Sequence, residues 1–237
     1  MNQFKSKLSV IICVYNEVNT LEELITKVTK VNLPYNFTKE IIIIDNFSTD
    51  GSSELLQKYL NKHNFKILLQ NKNLGKGNSI LEGIKLATGD YIVFQDADLE
   101  YDPQNYIKLL EFLFDNNLDA VFGSRSKRNK NYHIYKLNSL VVDIFTKIIN
   151  IFYGGKYTDT ATNHKLLKTN VLKNLNLVSK QFDLDFEIAI KLAKYKYKYG
   201  EIAIDFHPRT NKDGKKIRFI DGFICLKSII KFYFYDK

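Results

Sequence analysis

The segment GDYIVFQDADLEYDP (residues 89–103) passes from an apolar run into carboxylates at every second position: Asp96, Asp98, Glu100 and Asp102. Alternate side chains of an extended chain point the same way, about 6.5–7 Å apart along it. Asp96, Asp98 and Glu100 are thereby expected to share a cation. An all-oxygen ligand set suits Mg²⁺ or Mn²⁺, and Mg²⁺ takes one or two protein carboxylates and completes its shell with water and substrate phosphates. Without a cation these acids would repel one another. Asp102 has a different use: it directly precedes Pro103, and acidic residues stabilise helix N-termini. Asp96 and Asp98 come too early to cap that helix.

Such a cluster needs a scaffold to deliver it, and the flanking sequence supplies one. LSVIICV (8–14) is a continuous β-rich apolar run, as expected of a strand covered on both faces. Residues 18–31 carry Val18, Leu21, Leu24, Ile25 and Val28 at helical spacing. EIIIIDN (40–46) reads as a second buried strand, and STDGSSELLQKYLNKH (48–63) as a capped amphipathic helix. A strand at 65–70, a helix at 77–88, a strand at 91–95, a helix at 103–116 and a strand at 119–123 follow. This alternation predicts an α/β fold with a mostly parallel sheet flanked by helices. Ligands of open sheets bind beyond the carboxyl ends of the strands. The polar groups fall there: Tyr15 to Glu17, Asp45 and Asn46, residues 71–77, and Asp96 to Asp102.

Beyond residue 124 the pattern changes to a basic loop with interleaved aromatics, SRSKRNKNYHIYK (124–136), followed by a helix (137–152) and a Gly-Gly break. TDTATNHK (158–165), a helix within 182–195, a strand at 199–207, the loop HPRTNKDGKKI (207–217) and a final helix complete the chain. In that last helix, a core-packed role competes with a place at a membrane interface. Lys127, Arg128 and Lys130 read singly as solvated residues, but together they would attract an anionic membrane.

With 237 residues, 45% of them hydrophobic, the chain can bury one large core. We expect a single domain over 1–237, since no linker, repeat or low-complexity tract divides it. The net charge of +9 admits phosphorylated substrates, acidic headgroups or nucleic acid as partners. Cys13 and Cys225 lie in apolar contexts and read as buried hydrophobes of a reducing compartment. The N-terminal run lacks a cleavage pattern and no segment reaches the length of a membrane span, so a cytoplasmic protein is expected.

In their order along the chain, VYNE (14–17), EIIIIDNFSTDGS (40–52), NLGKG (73–77), GDYIVFQDADLEYDP (89–103), GSR (123–125), TDTATNHK (158–165), FDLDFEI (182–188) and PRTNKDGKKI (208–217) form a pattern. It resembles the family 2 glycosyltransferases of GT-A fold, and within them the dolichyl-phosphate mannosyltransferase-like branch. The resemblance implies an inverting, metal-dependent transferase using a nucleotide-sugar donor, of GDP-mannose or UDP-glucose type. It assigns residues 1–123 to the donor and 124–237, an acceptor-side extension with a C-terminal helix, to the acceptor. Tyr15, Glu17, Asp45 and Asn46 would hold the nucleoside, and Asp96, Ala97 and Asp98 form the aspartate motif, with Glu100 a further metal contact. Lys72 or Lys76 would add positive charge near the diphosphate. Three positions depart from the family pattern: Val14 replaces proline, Asn46 a second aspartate and Phe47 a small residue.

For the acceptor, the resemblance makes Arg125 the binder of a polyprenyl phosphate, joined by Ser139, while Arg209, Lys215 and Lys216 lie on a loop near the phosphates. A second family arginine is replaced near Tyr135, beside Lys136. A phosphate nucleophile needs cations rather than a base; a saccharide or glycolipid hydroxyl would need a base. Asp183, Asp185 and Glu187 occupy the segment where the family places acids near the acceptor, and Asp185 is the base we expect. Their alternate spacing predicts that one or two of them are surface or capping groups. Peripheral contact with the cytoplasmic membrane face, or with a membrane-anchored partner, fits a lipid acceptor.

Two other classes compete. Haloacid dehalogenase phosphatases also use an Asp-x-Asp pair after a parallel strand, but after the first strand, which here ends in Tyr15 to Glu17. A nucleic-acid-binding module would leave the acidic cluster unexplained, because bare carboxylates repel phosphates.

Overall fold

The computed structural model describes residues 6–128, 136–209 and 219–235. Its strands are β1 (Lys7–Val14), β2 (Thr38–Asp45), β3 (Phe65–Leu69), β4 (Tyr91–Asp96), β5 (Ala120–Ser124), β6 (Lys165–Lys168) and β7 (Tyr199–Ala203). They form one seven-stranded sheet in the order β3-β2-β1-β4-β6-β5-β7. Every pairing is parallel except those of β6, which runs antiparallel to both neighbours.

Both faces of the sheet are covered, which explains the uninterrupted apolar runs. Successive side chains alternate between faces, so Leu8, Val10, Ile12, Ile41 and Ile43 enter one core cluster. Ile11, Ile42 and Ile44 enter the other. Fully buried Ile11 lies near the centre of this packing, and its truncation to Ala would cost about 2–5 kcal/mol.

The helices are α1 (Val18–Lys30), α2 (Ser52–Gln57), α3 (Lys76–Leu86), α4 (Asn105–Asp115), α5 (Lys136–Tyr153), α6 (Thr169–Asn174), α7 (Leu184–Lys194) and α8 (Phe219–Tyr235). On α1 the buried residues are Leu21, Leu24, Ile25 and Val28, the stripe expected from their spacing. Three expectations need correction. The helix expected over 48–63 is only α2: it starts after Gly51, at φ +99°, and beyond Gln57 the chain continues in tight turns, with Tyr59 N donating to Leu56 O at 3.0 Å. The strand expected over 199–207 stops at Ala203, and Phe206 makes only an isolated bridge to Tyr101. The sequence reading also lacks β6 and α6, each too short to show a period.

Buried Cys225, Ile229 and Phe232 attach α8 to the core beside α5 and α7. The helix is therefore core-packed on one side, while Phe223, Ile230, Tyr233 and Phe234 are exposed on it. Among the described residues no helix is long and apolar enough to cross a membrane.

Candidate active site

Where β1, β2 and β4 end, the loops converge on a crevice of about 700 Å³. Tyr15, Glu17, Asn46, Asp96, Ala97, Asp98 and Glu100 line one part, and Arg125, Asn163, Asp185 and Arg209 line another. Cys13 is in the wall too and only half-buried, which corrects its expected place in the core.

The carboxylates reach this crevice by a turn rather than along an extended strand. β4 stops at Asp96, and Leu99 adopts φ +63°, a left-handed conformation that reverses the chain. Asp98 Oδ1 then accepts a hydrogen bond from Glu100 N at 3.1 Å. A short polar side chain offering its own loop an acceptor is the local cause of such a turn. Thr20 Oγ1 donates to Ala97 O at 2.8 Å, fixing the turn to α1.

Each acid has a cationic or amide partner. Lys76 pairs with Asp96 at 2.8 Å. The Arg209 guanidinium spans Glu17, at 2.9 and 3.0 Å, and Asp98, at 3.0 Å, while its backbone N–H donates to Glu100 Oε1 at 2.7 Å. Burial and the adjacent charges of Asp96 and Glu100 push the Asp98 carboxyl up to about 7, against the pull of Arg209. Burial alone would lower the Lys76 ammonium, but Asp96 and Asp185 hold its affinity for the proton above the ordinary lysine range.

No three acidic, His or Cys side chains among the described residues are grouped to hold a metal ion by themselves. Asp96 and Asp98 nevertheless fit a hard divalent cation that takes two carboxylates and fills its shell with water and phosphate. The raised Asp98 carboxyl marks a concentration of negative charge that such an ion relieves.

The residues expected at the nucleoside divide. Tyr15, Glu17 and Asn46 line the crevice, but Asp45 does not: it is buried and accepts hydrogen bonds from Ser48 N (3.2 Å) and Ser53 Oγ (2.6 Å). Its carboxylate shapes the loop after β2. Asn46 receives Asn73 through neither charge nor chance: its Nδ2 donates to Asn73 Oδ1 at 3.0 Å and its Oδ1 accepts from Leu74 N at 2.8 Å. An ionised aspartate could not donate the first of these bonds. Phe47 sits at φ +66°, which explains why a small residue is expected there.

Of the two lysines, Lys76 lines the crevice and Lys72 is exposed outside it. The glycines of NLGKG let another segment come close. A Cβ on Gly77 would lie 2.6 Å from Gln181 O, and Gly75 has φ +95° and would bring one within 2.5 Å of Lys180 O. That approach lets Asn78 N donate to Lys180 O at 2.9 Å and sets Gln181 and Phe182 in the wall.

Of the residues expected at the acceptor, Arg125 is held by Asp159 through Nε at 2.7 Å and Nη2 at 2.8 Å. Burial would raise the Asp159 carboxyl, but the Arg125 guanidinium keeps it below the usual range. Asp185 lines the crevice and pairs with buried Lys165. Asp183, Asp185 and Glu187 are all buried, so of the expected surface or capping groups none is at the surface and Asp183 takes the capping position. Asp183 is at the N-cap of α7 and accepts from Ser228 Oγ at 2.6 Å; Glu187 accepts from Ser179 N at 2.8 Å and pairs with Lys191 at 2.8 Å. Ser139 is half-buried on α5, outside the crevice wall. Lys130, Tyr135, Lys215 and Lys216 lie outside the described residues.

Asp159, Tyr101, Asn163 and His164 are parts of the site or its support that sequence reasoning did not single out. The His164 ring stacks on Tyr101, with centroids 5.2 Å apart, and on Tyr106, at 5.5 Å. Burial lowers the His164 imidazole to about 3, so it is a neutral aromatic layer beneath the crevice. The segment TDTATNHK contained the only available signal for three of these residues.

The sequence pattern of glycosyl transferase family 2 matches residues 9–176, and the chain belongs to that family. Among its relatives, a dolichol-phosphate mannosyltransferase from Pyrococcus furiosus is 30% identical over 212 residues, or 88% of this chain. The chain spans 59% of that protein's length. A glucosyl-3-phosphoglycerate synthase from Mycobacterium tuberculosis, solved with Mn²⁺, UDP and phosphoglyceric acid, superposes with a TM-score of 0.67 at 14% identity, over 97% of this chain and 79% of the other. A mannosyltransferase from Pyrobaculum calidifontis, solved with GDP-Man and Mn²⁺, gives 0.58 at 17% identity, over 85% and 56%. These likenesses show the shared GT-A fold.

Proposed function

We propose that this chain is an inverting, divalent-metal-dependent glycosyltransferase that moves a hexose from a nucleotide sugar to a polyprenyl phosphate. The observation that carries the reading is the crevice at the carboxyl ends of β1, β2 and β4, where Asp96 and Asp98 meet Lys76 and Arg209. Asp96 and Asp98 would hold the metal, with Glu100 beside them. When bound, the ion acts as a Lewis acid that stabilises the charge growing on the departing diphosphate. Lys76 and Arg209, now spent on these acids, would turn to the diphosphate as its charge arrives. Tyr15, Glu17 and Asn46 would enclose the nucleoside.

A phosphate acceptor brings its own anionic nucleophile, so Arg125 would hold it and no base is required. The exposed Ile151 and Phe152 of α5, with Phe223, Ile230 and Phe234 of α8, support an acceptor that comes from a lipid surface. A saccharide hydroxyl is the second reading, favoured by Asp185 in the crevice wall, where it could take the hydroxyl proton.

A thermal-shift panel of UDP, GDP and their sugars with Mn²⁺ tests the donor, because ligands of the folded state raise its melting temperature. No shift with any of them would remove the transferase reading. Labelled donor is then offered polyprenyl phosphate or an oligosaccharide. Arg125→Ala should cripple transfer to the lipid phosphate while donor binding persists; equal loss with and without acceptor would defeat that role.

A further inference from the structure

Asn163 lies just before β6 in the crevice wall. It is only 3% exposed, and its Oδ1 has no hydrogen-bond partner. A buried acceptor left unmet costs about 1–3 kcal/mol. The backbone of the residue has no such deficit: its N–H donates to the Tyr101 hydroxyl at 3.3 Å, and its carbonyl accepts from Lys165 N at 2.8 Å. Only the side chain retains unused capacity. The backbone bond to Tyr101, whose ring stacks on His164, itself stacked on Tyr106, gives this residue a firm seat, as a recognition group requires.

Its place in the sheet indicates which part of a donor it would meet. The order β2-β1-β4-β6 puts the loop with Asn46 at one side, the loop with Asp96 and Asp98 third, and the residues before β6 next. Neighbouring strands are about 4.8 Å apart, so this row extends over about 14 Å. Because β6 is antiparallel, with Val93 opposite Leu166, its leading residues lie at the same edge as the end of β4. A nucleotide sugar laid along the row, with its diphosphate at Asp96 and Asp98, carries its hexose toward Asn163.

Phe182 and Ala161 are apolar members of the same wall, and Asp185 is a polar one. A hexose presents C–H faces to the first kind and hydroxyls to the second. An amide donates and accepts, as vicinal sugar hydroxyls do.

We propose that Asn163 recognises the hexose of the donor by hydrogen bonds between its side-chain amide and the sugar hydroxyls. The assignment rests on the nucleotide-sugar reading above. It makes Asn163 a specificity residue that the nucleotide alone does not engage.

The test is titration calorimetry on the full chain with Mn²⁺, comparing UDP and GDP with their hexose conjugates, for wild type, Asn163→Ala and Asn163→Ser. The side chain makes no bond through Oδ1 that either substitution would break, and the melting temperature verifies that each variant is folded. We expect nucleoside diphosphate affinity to stay within about twofold, and nucleotide-sugar affinity to fall about tenfold, as for one lost buried hydrogen bond. Discrimination between hexose epimers should narrow with it. Unchanged nucleotide-sugar affinity, or an equal fall for both ligands, would overturn the assignment and leave the transferase reading standing. A wild-type chain that binds the diphosphates but none of their sugars would overturn both.

Discussion

Glu40 and Asp98 are both carboxylates largely shielded from solvent, yet they are held in opposite ways. Glu40, on β2, accepts from Ser9 Oγ at 2.5 Å, Thr88 N at 2.7 Å, Thr88 Oγ1 at 2.9 Å and Gly89 N at 3.1 Å, and pairs with Lys66 at 2.9 Å. Burial opposes its charge, but these donors prevail and bring its carboxyl down to about 2. Asp98 is crowded by burial and by two other acids and is pushed up to about 7. A carboxylate serving the fold is surrounded by donors from the elements it joins. One in the crevice has Arg209 and the Glu100 amide as partners, yet burial and the charges of Asp96 and Glu100 outweigh them and favour a cation.

This contrast can be broken most forcefully at Asp98. Asp98→Asn should lower transferase turnover by about two to three orders of magnitude, on the scale of losing one group that stabilises transition-state charge. Its ligand-free melting temperature should be equal to or above that of the wild type, since the substitution removes a crowded charge. A clear fall in melting temperature with turnover retained would reverse the assignment. Glu40→Gln is the complement: urea unfolding should show a loss of about 2 kcal/mol, from donors left without their acceptor, while turnover per folded molecule is kept.

The pH dependence of stability sharpens the same comparison. Glu40 has a folded value of about 2, below its ordinary 4.5, so its contribution is full above 4.5 and is lost as pH falls toward 2. Asp98 has a folded value of about 7, above its ordinary 3.8, so its contribution is full below 3.8 and is lost as pH rises through 7. Melting temperatures measured across pH should therefore lose part of the fall below pH 4.5 in Glu40→Gln and part of the decline between pH 3.8 and 7 in Asp98→Asn. The smallest effect is expected from Arg209→Gln. It removes two partly exposed ion pairs, to Glu17 and Asp98, at a stability cost of about 1 kcal/mol. Carboxyl NMR should show Asp98 titrating higher in this variant than in the wild type, because the Arg209 charge that holds it down is gone.

Much of this molecule is legible in its sequence because the physical cause is local. Strands buried on both faces must be largely apolar, and β1, β2 and β4 are so over residues 10–14, 41–44 and 92–94. An amphipathic helix must repeat its apolar residues, and α1 does. A crevice on an open sheet must collect polar residues after the strands, and Tyr15, Glu17, Asn46 and Asp96 stand at those positions in the sequence and line it. Asp45 shared that signal, and its carboxylate accepts from the serines of its own loop, since a carboxylate near serines in a tight turn is most readily met by them.

The sequence by itself determined the alternation of strands and helices, the family pattern and the pair Asp96 and Asp98, because each depends on neighbours along the chain. Only the tertiary structure decided which charges face one another. Arg209 meets Glu17 across a separation of 192 residues, Arg125 meets Asp159 across 34, and Lys165 meets Asp185 across 20. Periodicity carries no information about such partners; they follow from the order of strands in the sheet. The same order, by inserting four-residue β6 beside β4, brings Asn163 to the edge of the carboxylate site.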